Sequence, residues 1–490
     1  MSLTPRQRAV ATALLATISP IADELGRVFA SHGHELALVG GPVRDVFLGR
    51  AHSDLDLTTD AHPERVIEIT TGWADTIWEV GIAFGTVGLR KGDITLEITT
   101  YRSEKYDPAS RKPDVAYGTS LIDDLSRRDF TVNAMAARLP GHELVDPFDG
   151  LADLHDAILR TPGRPEDSFS DDPLRILRAA RFVAELGLKP AAGVRSAMRE
   201  LAPRLQISVA RERIQAELTK LLLASRPSGP SEAIALLVET GVADHFLGEI
   251  PELQLERDEH HRHKDVYRHS LTVLDQAIAL EPRYGLERDL RLRLAALLHD
   301  IGKPRTRLLL PDGRVTFHHH DVKGAKMARR RLSELRFPGD ITADVARLIE
   351  LHLRFHGYGD GEWTDSAVRR YVTDAGPLLT RLHALTRADS TTRNKAKARR
   401  LARAYDDLED KIAVLAEQEE LASIRPDLDG NEIMELLGIQ RGPLVGRARK
   451  HLLELRLEHG PLGRERAVQE LLAWAAAAGL AAREGPDSSR

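Results

Sequence analysis

The chain lacks cysteine altogether, and this absence excludes several kinds of chemistry. None of its 490 residues can form a disulfide, donate a thiolate to a metal or act as a cysteine nucleophile. The absence favours an intracellular protein, and we expect a cytoplasmic one. The start of the chain lacks the apolar core of a secretory signal. The most apolar tail segment, Leu471 to Ala482, is too short to span a bilayer, so no membrane partner is expected.

The chain also has no excess of positively charged residues over negatively charged ones. The formal net charge is −5 at pH 7, which argues against a uniformly basic surface but not against local clusters of arginine. Hydrophobic residues make up 42% of the chain and charged residues 29%, as in ordinary globular proteins. Because 490 residues exceed what one hydrophobic core organises, we expect three or more structural units.

The most informative feature that is present is a pair of carboxylates behind a glycine turn. Asp54 and Asp56 are two residues apart, so both point to one face if they lie on a strand. The apolar run at 35–39 predicts a buried strand, and Gly40-Gly41 predicts a tight turn whose backbone amides can approach a phosphate. Arg44 adds a charge suited to a phosphate oxygen. The pattern indicates metal-dependent nucleotidyl transfer; the alternative is a glycine turn followed by two solvated aspartates.

Three further motifs follow in order: Arg127-Arg128-Asp129-Phe130-Thr131-Val132-Asn133-Ala134, Asp146-x-Phe148-Asp149-Gly150 and Asp171-Asp172-Pro173-Leu174-Arg175. With the glycine turn and the aspartate pair, they resemble the class II tRNA nucleotidyltransferase and bacterial poly(A) polymerase family. The resemblance implies a polymerase-beta-like head in which Asp54 and Asp56 are catalytic and hold Mg²⁺. It implies nucleotide contacts from Gly40, Gly41, Arg44, Arg128, Asp129, Asn133, Asp172, Arg175, Arg178 and Arg181.

The resemblance assigns the choice of base to Asp172 and Arg175, and their chemistry fits that role. An aspartate accepts hydrogen bonds from an exocyclic amine, and an arginine donates to ring nitrogens and carbonyls. Cytosine and adenine both carry such an amine, so the pair can accept C and A without a template. If the two residues lie on one helix, their spacing of three puts them on the same side. The alternative is an ordinary surface ion pair.

Two residues near the first motif bear on how it would bind metal and phosphate. Glu97, on a predicted strand, is a candidate third acidic group near the metals; the alternative is an exposed strand glutamate without a role. Pro42 stands where the family usually has a small hydroxyl residue, and it removes one backbone donor from the turn. The proline removes no predicted metal ligand.

A short glycine-rich stretch bears on the product. Gly81-Ile82-Ala83-Phe84-Gly85-Thr86-Val87 resembles the sequence usual in CCA-adding members, and the basic run of the poly(A) polymerases is not seen. The resemblance therefore implies that C, C and A are added to tRNA from CTP and ATP, with pyrophosphate released. A poly(A) polymerase, or an enzyme that adds only CC or only A, is the alternative. The expected partner is tRNA, and no protein partner is implied.

A second set of histidines and aspartates, which begins at His269 and ends at Asp389, resembles in its order the motif of the HD metal-dependent phosphohydrolases over about residues 264–395. Imidazole and carboxylate ligands suit a borderline or hard divalent metal, so we expect a second metal here, or two metals bridged by an aspartate. His319 stands where relatives often have glycine. The module implies phosphatase or 2′,3′-cyclic phosphodiesterase action on RNA ends. The alternative is a phosphohydrolase whose N-terminal half only binds RNA. The predicted ligands are His269, His299, Asp300, His320, His352 and Asp389.

These patterns predict an α+β protein in four segments. Residues 1–160 form a mixed α/β nucleotidyltransferase head with one N-terminal helix over 1–30. Residues 161–255 form an all-helical neck that carries the nucleotide selector and binds RNA. Residues 256–400 form a helical HD domain, and 401–490 form a helical arm that binds tRNA.

Overall fold

The chain divides into two compact units, Met1–Pro251 and Glu252–Arg490. The computed structural model describes residues 5–18, 20–50, 54–102, 117–118, 120–255, 265–312, 315–355, 363–391, 394–419 and 424–480. In this described part, no single helix is long and apolar enough to cross a membrane. The bent pair Ala9–Leu15 and Pro20–Ser31 reaches that length and composition only when both helices are counted together.

A seven-stranded mixed sheet organises the head. Its strands are β1 (Leu36–Val39), β2 (Asp54–Thr59), β3 (Thr76–Trp78), β4 (Thr86–Lys91), β5 (Ile94–Thr100), β6 (Ala136–Leu139) and β7 (Glu143–Val145). Their order across the sheet is β3-β4-β5-β2-β1-β6-β7, and only β2 and β5 run parallel to each other. The helices of the head are α1 (Pro5–Leu15), α2 (Pro20–Ser31), α3 (Gly41–Phe47), α4 (Pro63–Thr70), α5 (Leu121–Ser126) and α6 (Gly150–His155).

The N-terminal segment differs from its prediction. A single helix over 1–30 was expected, but α1 ends at Leu15 and α2 begins at Pro20. Proline has no N–H and its ring clashes with the carbonyl four residues earlier, so it breaks a helix interior. The same residue is favoured in the first turn, where the N–H has no helical partner. Pro20 therefore starts a second helix rather than continuing the first.

Alternation along β2 decides which face of the sheet carries the acidic residues. Leu55 and Leu57 are buried in the head core together with Leu25 and Phe29 of α2. Burying each such side chain contributes about 1.5–3 kcal/mol, so a slip of one residue would be strongly unfavourable. The aspartates that alternate with these leucines must therefore lie on the opposite, exposed face.

The neck is helical apart from one short strand, which pairs with a strand at the end of the head. Two-residue strands β8 (Ile158–Leu159) and β9 (Lys189–Pro190) pair in parallel where the neck joins the head. The helices are α7 (Pro165–Asp171), α8 (Arg175–Leu186), α9 (Ala192–Leu201), α10 (Arg204–Ser208), α11 (Arg211–Leu222) and α12 (Gly229–Glu239). Helix α8 packs against α11 and α12, which holds its N-terminal arginines in a fixed place.

The C-terminal unit is almost entirely helical. After α13 (Glu249–Glu252), at which the two units divide, come α14 (Val266–Leu280), α15 (Leu290–Leu298), α16 (Lys303–Thr306), α17 (His320–Glu334), α18 (Gly339–Leu351), α19 (Asp365–Ala375), α20 (Leu379–Asp389) and α21 (Lys395–Gln418). A two-stranded hairpin of β10 (Leu308–Leu309) and β11 (Val315–Thr316) precedes α17. The last helices, α22 (Gly430–Leu437), α23 (Pro443–His459) and α24 (Arg464–Ala477), share a small core of their own.

Candidate active site and metal centre

Three carboxylates lie on the exposed face of two neighbouring strands of the sheet. Asp54 and Asp56 are both exposed on β2, as the sequence predicts, and Asp56 pairs in register with Glu97 of the neighbouring strand β5. Burial, and then the charges of Asp56 and Asp54, raise the pKa of the Glu97 carboxyl. Clustered carboxylates repel each other in this way, and a hard divalent cation with oxygen ligands relieves that repulsion. The residues present therefore fit a metal of the Mg²⁺ type.

The glycine turn lies at the same end of the sheet as Asp54. Strands β1 and β2 are antiparallel, so the turn after β1 is next to the start of β2. Gly40 has φ 71°, a left-handed conformation that favours glycine, and a Cβ atom there would lie 3.2 Å from Nη1 of Arg128. Pro42 falls in the first turn of α3, where a missing N–H costs little. The turn thus lies beside the start of β2, and the Arg128 guanidinium adjoins the turn.

Behind the turn, a buried chain of hydrogen bonds joins the head to the neck. The Arg44 guanidinium donates from Nε to Asp45 (2.7 Å) and from Nη1 to the side-chain oxygen of Asn133 (2.6 Å). Asn133 donates to Asp129 (3.0 Å), which also accepts from Nε of Arg178 (2.8 Å). Burial opposes the charge of Asp129, but Arg178 and Asn133 outweigh it and lower the pKa of its carboxyl. Arg44 is thus mostly buried and bonded within the protein, and its contact with a phosphate stays a prediction.

One residue of this region was missed in the sequence. Asp124, fully buried on α5, accepts from Arg127 (2.6 Å) and from Arg128 (3.2 Å). Although burial opposes it, the two arginines lower the pKa of the Asp124 carboxyl, so the carboxylate fixes both guanidinium groups. The spacings of three and four residues from Asp124 to the two arginines are the signal that could have identified it.

Helix α8 brings a cluster of arginines to the head. Arg181 donates to the buried carboxylate of Glu217 (2.7 Å), and Arg178 lies 3.9 Å from the same residue. The guanidinium carbons of Arg44, Arg178 and Arg181 lie 5.5, 5.9 and 4.5 Å from the ring centroid of Phe182. Contacts of this kind between cations and an aromatic ring are favourable and hold the guanidinium groups in place.

The predicted geometry of the selector pair is wrong in one respect. Asp172 does not share a helix with Arg175: it lies in an extended conformation between α7 and α8. Pro173 is the reason, because the residue before a proline is disfavoured in the helical conformation. Asp172 accepts a hydrogen bond from Arg213 (3.0 Å), and Arg175 donates to the backbone carbonyl of Arg127 (2.7 Å). The role of the pair in choosing a base stays a prediction.

All six predicted ligands of the second site come together in the C-terminal unit. They form two groups of three whose ligand atoms lie within 4.8 Å of one another, namely His269, His299 and Asp389, and Asp300, His320 and His352. Asp300 joins the groups, since Oδ2 lies 3.2 Å from Nε2 of His299 and Oδ1 lies 3.4 Å from Nε2 of His320. Lys303 donates a hydrogen bond to the same carboxylate, Asp300 (2.8 Å).

Backbone carbonyls orient three of these imidazole rings. Nδ1 of His299, His320 and His352 each bonds the carbonyl three residues earlier, at 2.9, 2.8 and 2.6 Å. Such a bond places an N–H at Nδ1 and turns Nε2 toward the centre, the orientation that metal-bound histidines require. Among the described residues, Nε2 of buried His352 has no hydrogen-bond partner. Burial and the neighbouring His299 lower the pKa of His352 to about 4, so the ring is neutral. This donor set fits a metal.

Comparison with known proteins decides the family. Three family models match in order: "Poly A polymerase head domain" at residues 36–160, "Probable RNA and SrmB-binding site of polymerase A" at 187–255, and "HD domain" at 266–394. An A-adding tRNA nucleotidyltransferase of Deinococcus radiodurans is 34% identical over 430 residues, which cover 86% of this chain and 91% of that enzyme. The chain belongs to the tRNA nucleotidyltransferase and poly(A) polymerase family.

Other members of this family match over different extents. A CCA-adding enzyme of Anoxybacillus flavithermus is 43% identical over 231 residues, which cover 46% of this chain and 54% of that enzyme. The solved structure of the Bacillus stearothermophilus CCA-adding enzyme with CTP has a TM-score of 0.66 at 22% identity and covers 97% of this chain and 99% of its own. The Thermotoga maritima CCA-adding enzyme with tRNA has a TM-score of 0.59 at 17% identity and covers 95% and 98%. These likenesses confirm the predicted α+β fold with a helical C-terminal region.

Proposed function

We propose that this family member is a template-independent CCA tRNA nucleotidyltransferase, which adds C, C and A to tRNA 3′ ends from CTP and ATP. The observation that carries the proposal is the shared exposed face of Asp54 and Asp56 beside the Gly40-Gly41 turn. A relative named as a CCA-adding enzyme is 43% identical to this chain over 231 residues. That relative supports the choice of CTP and ATP.

The residues of the head suggest how the transfer is arranged. Asp54 and Asp56, with Glu97 beside them, would hold Mg²⁺, which when bound stabilises the attacking and leaving oxygens of a phosphoryl transfer. The turn at Gly40-Gly41 and the guanidinium of Arg128 would bind the triphosphate. The terminal 3′-hydroxyl of tRNA then attacks the α-phosphorus, the bond to the β-phosphate breaks, and pyrophosphate leaves. The arginines of α8, fixed by buried carboxylates, supply positive charge toward the same nucleotide.

Base selection falls to Asp172 and Arg175 in this proposal. Asp172 would accept from the exocyclic amine of cytosine or adenine, and Arg175 would donate to the ring. Arg213 donates a hydrogen bond to one oxygen of Asp172. The amine of an incoming base would therefore have to share or displace this contact. Guanine and uracil present carbonyls where the amine is required, which leaves two acceptors facing each other.

A second candidate is addition of the terminal A alone. The relative that aligns with 86% of this chain is named an A-adding enzyme, whereas the CCA-adding relative matches about half of the chain. The experiment uses three tRNA transcripts, ending before the first C, before the second C and before A, with labelled CTP and ATP. A CCA-adding enzyme completes all three and stops. An A-adding enzyme extends only the transcript that ends in CC, and a long A tract would contradict both proposals.

The matched control is Asp54→Ala, which we expect to abolish incorporation on every transcript. Incorporation that survives this change would contradict the assignment of the aspartates. The same variant should leave the chemistry of the second site unchanged, because the two sets of ligands belong to different units. This comparison separates a nucleotidyltransferase from a phosphohydrolase whose N-terminal half only binds RNA.

For the second site we propose a divalent metal centre that hydrolyses phosphate esters at RNA 3′ ends. Asp300 faces both groups of ligands, so this carboxylate would help to hold a metal bound by either group. A bound metal would supply a hydroxide nucleophile at neutral pH. Metal analysis of the purified chain, wild type against His352→Ala, tests the site. Hydrolysis of a 2′,3′-cyclic phosphate on a CC-ending tRNA tests the activity. A His352→Ala variant that keeps both the metal and the hydrolysis would contradict the proposal.

The division into four segments and the location of the protein are also proposals. We propose a head at 1–160, a neck at 161–255, an HD domain at 256–400 and a tRNA-binding arm at 401–490. In the arm, α23 begins at Pro443 and carries Arg447, Arg449 and Lys450, which suit contact with an RNA backbone. A cytoplasmic location follows from the proposed substrate and is tested by cell fractionation.

A further inference from the structure

The face that carries the carboxylates continues across two more strands and ends in an aromatic ring. Asp56 pairs with Glu97, Glu97 pairs with Gly88 of β4, and Gly88 pairs with Trp78 of β3. Residues paired directly across neighbouring strands point to the same side of a sheet. The row therefore runs from the acidic centre to Trp78 without leaving the exposed face.

Gly88 allows the Trp78 ring to lie over the sheet. A Cβ atom on Gly88 would be only 2.0 Å from Nε1 and 2.1 Å from Cε2 of that indole. The ring consequently covers the glycine instead of standing away from the edge strand, and Trp78 is only half-buried there. Neighbouring strands lie about 4.8 Å apart, so the indole over β4 is roughly 10 Å from the strand of Asp56.

An arginine stands next to the ring on the same face. Arg90 is two residues from Gly88 on β4, so its side chain points to the same side. It is paired with Thr95, which is itself paired with Asp54, and its guanidinium donates to Thr76 (3.3 Å) while remaining exposed. A planar aromatic surface beside an exposed cation is the combination that binds single-stranded nucleic acid, through base stacking and phosphate contact.

We propose that Trp78 stacks on the 3′-terminal base of the RNA that is being extended, and that Arg90 contacts the phosphate of that nucleotide. The inference rests on the proposed nucleotidyl transfer, because that reaction requires the terminal 3′-hydroxyl at Asp54 and Asp56. The stacking surface is one nucleotide's reach from those carboxylates. Stacking tolerates any base, so one platform serves ends that finish in the discriminator base, in C or in CC.

The test uses a tRNA transcript ending in CC with ATP, which both a CCA-adding and an A-adding enzyme would extend. A second transcript carries an abasic residue at its 3′ end. Trp78→Ala should raise the KM for the intact RNA by about 10- to 100-fold, with kcat and the KM for ATP nearly unchanged. On the abasic RNA, wild type and Trp78→Ala should have the same KM. Trp78→Phe, which keeps an aromatic face, should stay within a few fold of wild type.

Arg90→Ala provides the matched comparison. Loss of a phosphate contact should raise the KM equally for the intact and the abasic RNA, and it should reduce the salt dependence of binding. Binding is followed independently by RNA-induced quenching of tryptophan fluorescence. The difference between wild type and Trp78→Phe isolates this ring from the other three tryptophans.

Each outcome separates this inference from the proposed function. A wild-type enzyme that extends no transcript contradicts the proposed function. Normal extension by wild type, with Trp78→Ala either unchanged or equally impaired on both RNAs, overturns the stacking proposal alone. A rise in the KM for ATP instead of RNA would also overturn it, because the ring would then contact the incoming nucleotide.

Discussion

The two candidate metal sites of this chain are built in opposite ways. In the head, Asp54, Asp56 and Glu97 are exposed carboxylates on neighbouring strands. In the C-terminal unit, the ligands are mostly buried and come from helices α14, α15, α17, α18 and α20 and the residues that end them. The first site contains only oxygen donors, whereas the second mixes imidazole with carboxylate.

The difference indicates what each site does with its metal. Exposed carboxylates suit a hard cation that keeps several waters and shares its ligands with substrate phosphates. Buried imidazoles whose Nδ1 atoms are fixed by backbone carbonyls are already aligned for a metal that stays bound. We therefore expect the metal of the head to affect turnover, and the metal of the second site to affect the stability of the unit that holds it.

The largest effects should come from removing one carboxylate at each site. Asp54→Asn should lower kcat for nucleotide incorporation by about 10³-fold or more, with the free energy of unfolding nearly unchanged, because the side chain is exposed. Asp300→Asn should leave incorporation unchanged but destabilise the C-terminal unit by about 3–5 kcal/mol, since His299 and Lys303 lose a buried counter-charge. Chemical denaturation and single-turnover incorporation measure the two effects. Equal destabilisation by both changes would contradict the expectation that only the buried carboxylate supports the stability of the fold.

Metal removal should also distinguish the two sites, with a smaller effect on stability than the substitutions have. Metal at 100 times its dissociation constant stabilises the folded state by about 2.7 kcal/mol. Chelation should therefore lower the thermal transition of the C-terminal unit and leave that of the head in place. His352→Ala serves as the control, because a variant without the ligand should not respond to the chelator. A transition of the head that moves with chelation would show that its carboxylates also depend on a resident metal.

The sequence predicted the parts of these sites that depend on local pattern. The shared face of Asp54 and Asp56 follows from strand alternation, and the six ligands follow from a motif whose order is read along the chain. The break between Asp172 and Arg175 was missed, although Pro173 signals it. The contact between Trp78 and Gly88 could not be predicted, because it depends on the register of β3 against β4 and on a ring that covers a glycine of the neighbouring strand.

A finer test of the head concerns the repulsion among its carboxylates. Glu97→Gln should lower kcat by about 10- to 100-fold, as loss of one charged group near the reacting phosphates commonly does. The same change should stabilise the metal-free protein at pH 8. Burial and the two aspartates raise the folded-state pKa of Glu97, so its ionised form is unfavourable in the fold. The stabilisation should shrink as the pH falls through that raised pKa, because protonated glutamate is as neutral as glutamine. Thermal unfolding in chelator from pH 8 to pH 4 measures the trend, and a gain that grows toward low pH would contradict it.

The smallest expected effect concerns the backbone that presents a ligand of the buried site. His319, immediately before the ligand His320, has φ 60°, a left-handed conformation that costs a residue with a Cβ atom about 1 kcal/mol. His319→Gly should therefore stabilise the C-terminal unit by about 0.5–1 kcal/mol, reduced in part by the greater entropy of glycine in the unfolded chain. His318→Gly is the matched control, because His318 is equally exposed but is not left-handed, so glycine there should destabilise. Thermal unfolding of both variants in chelator gives the comparison. If both variants shift the transition in the same direction, the left-handed conformation of His319 does not destabilise the C-terminal unit and the prediction is wrong.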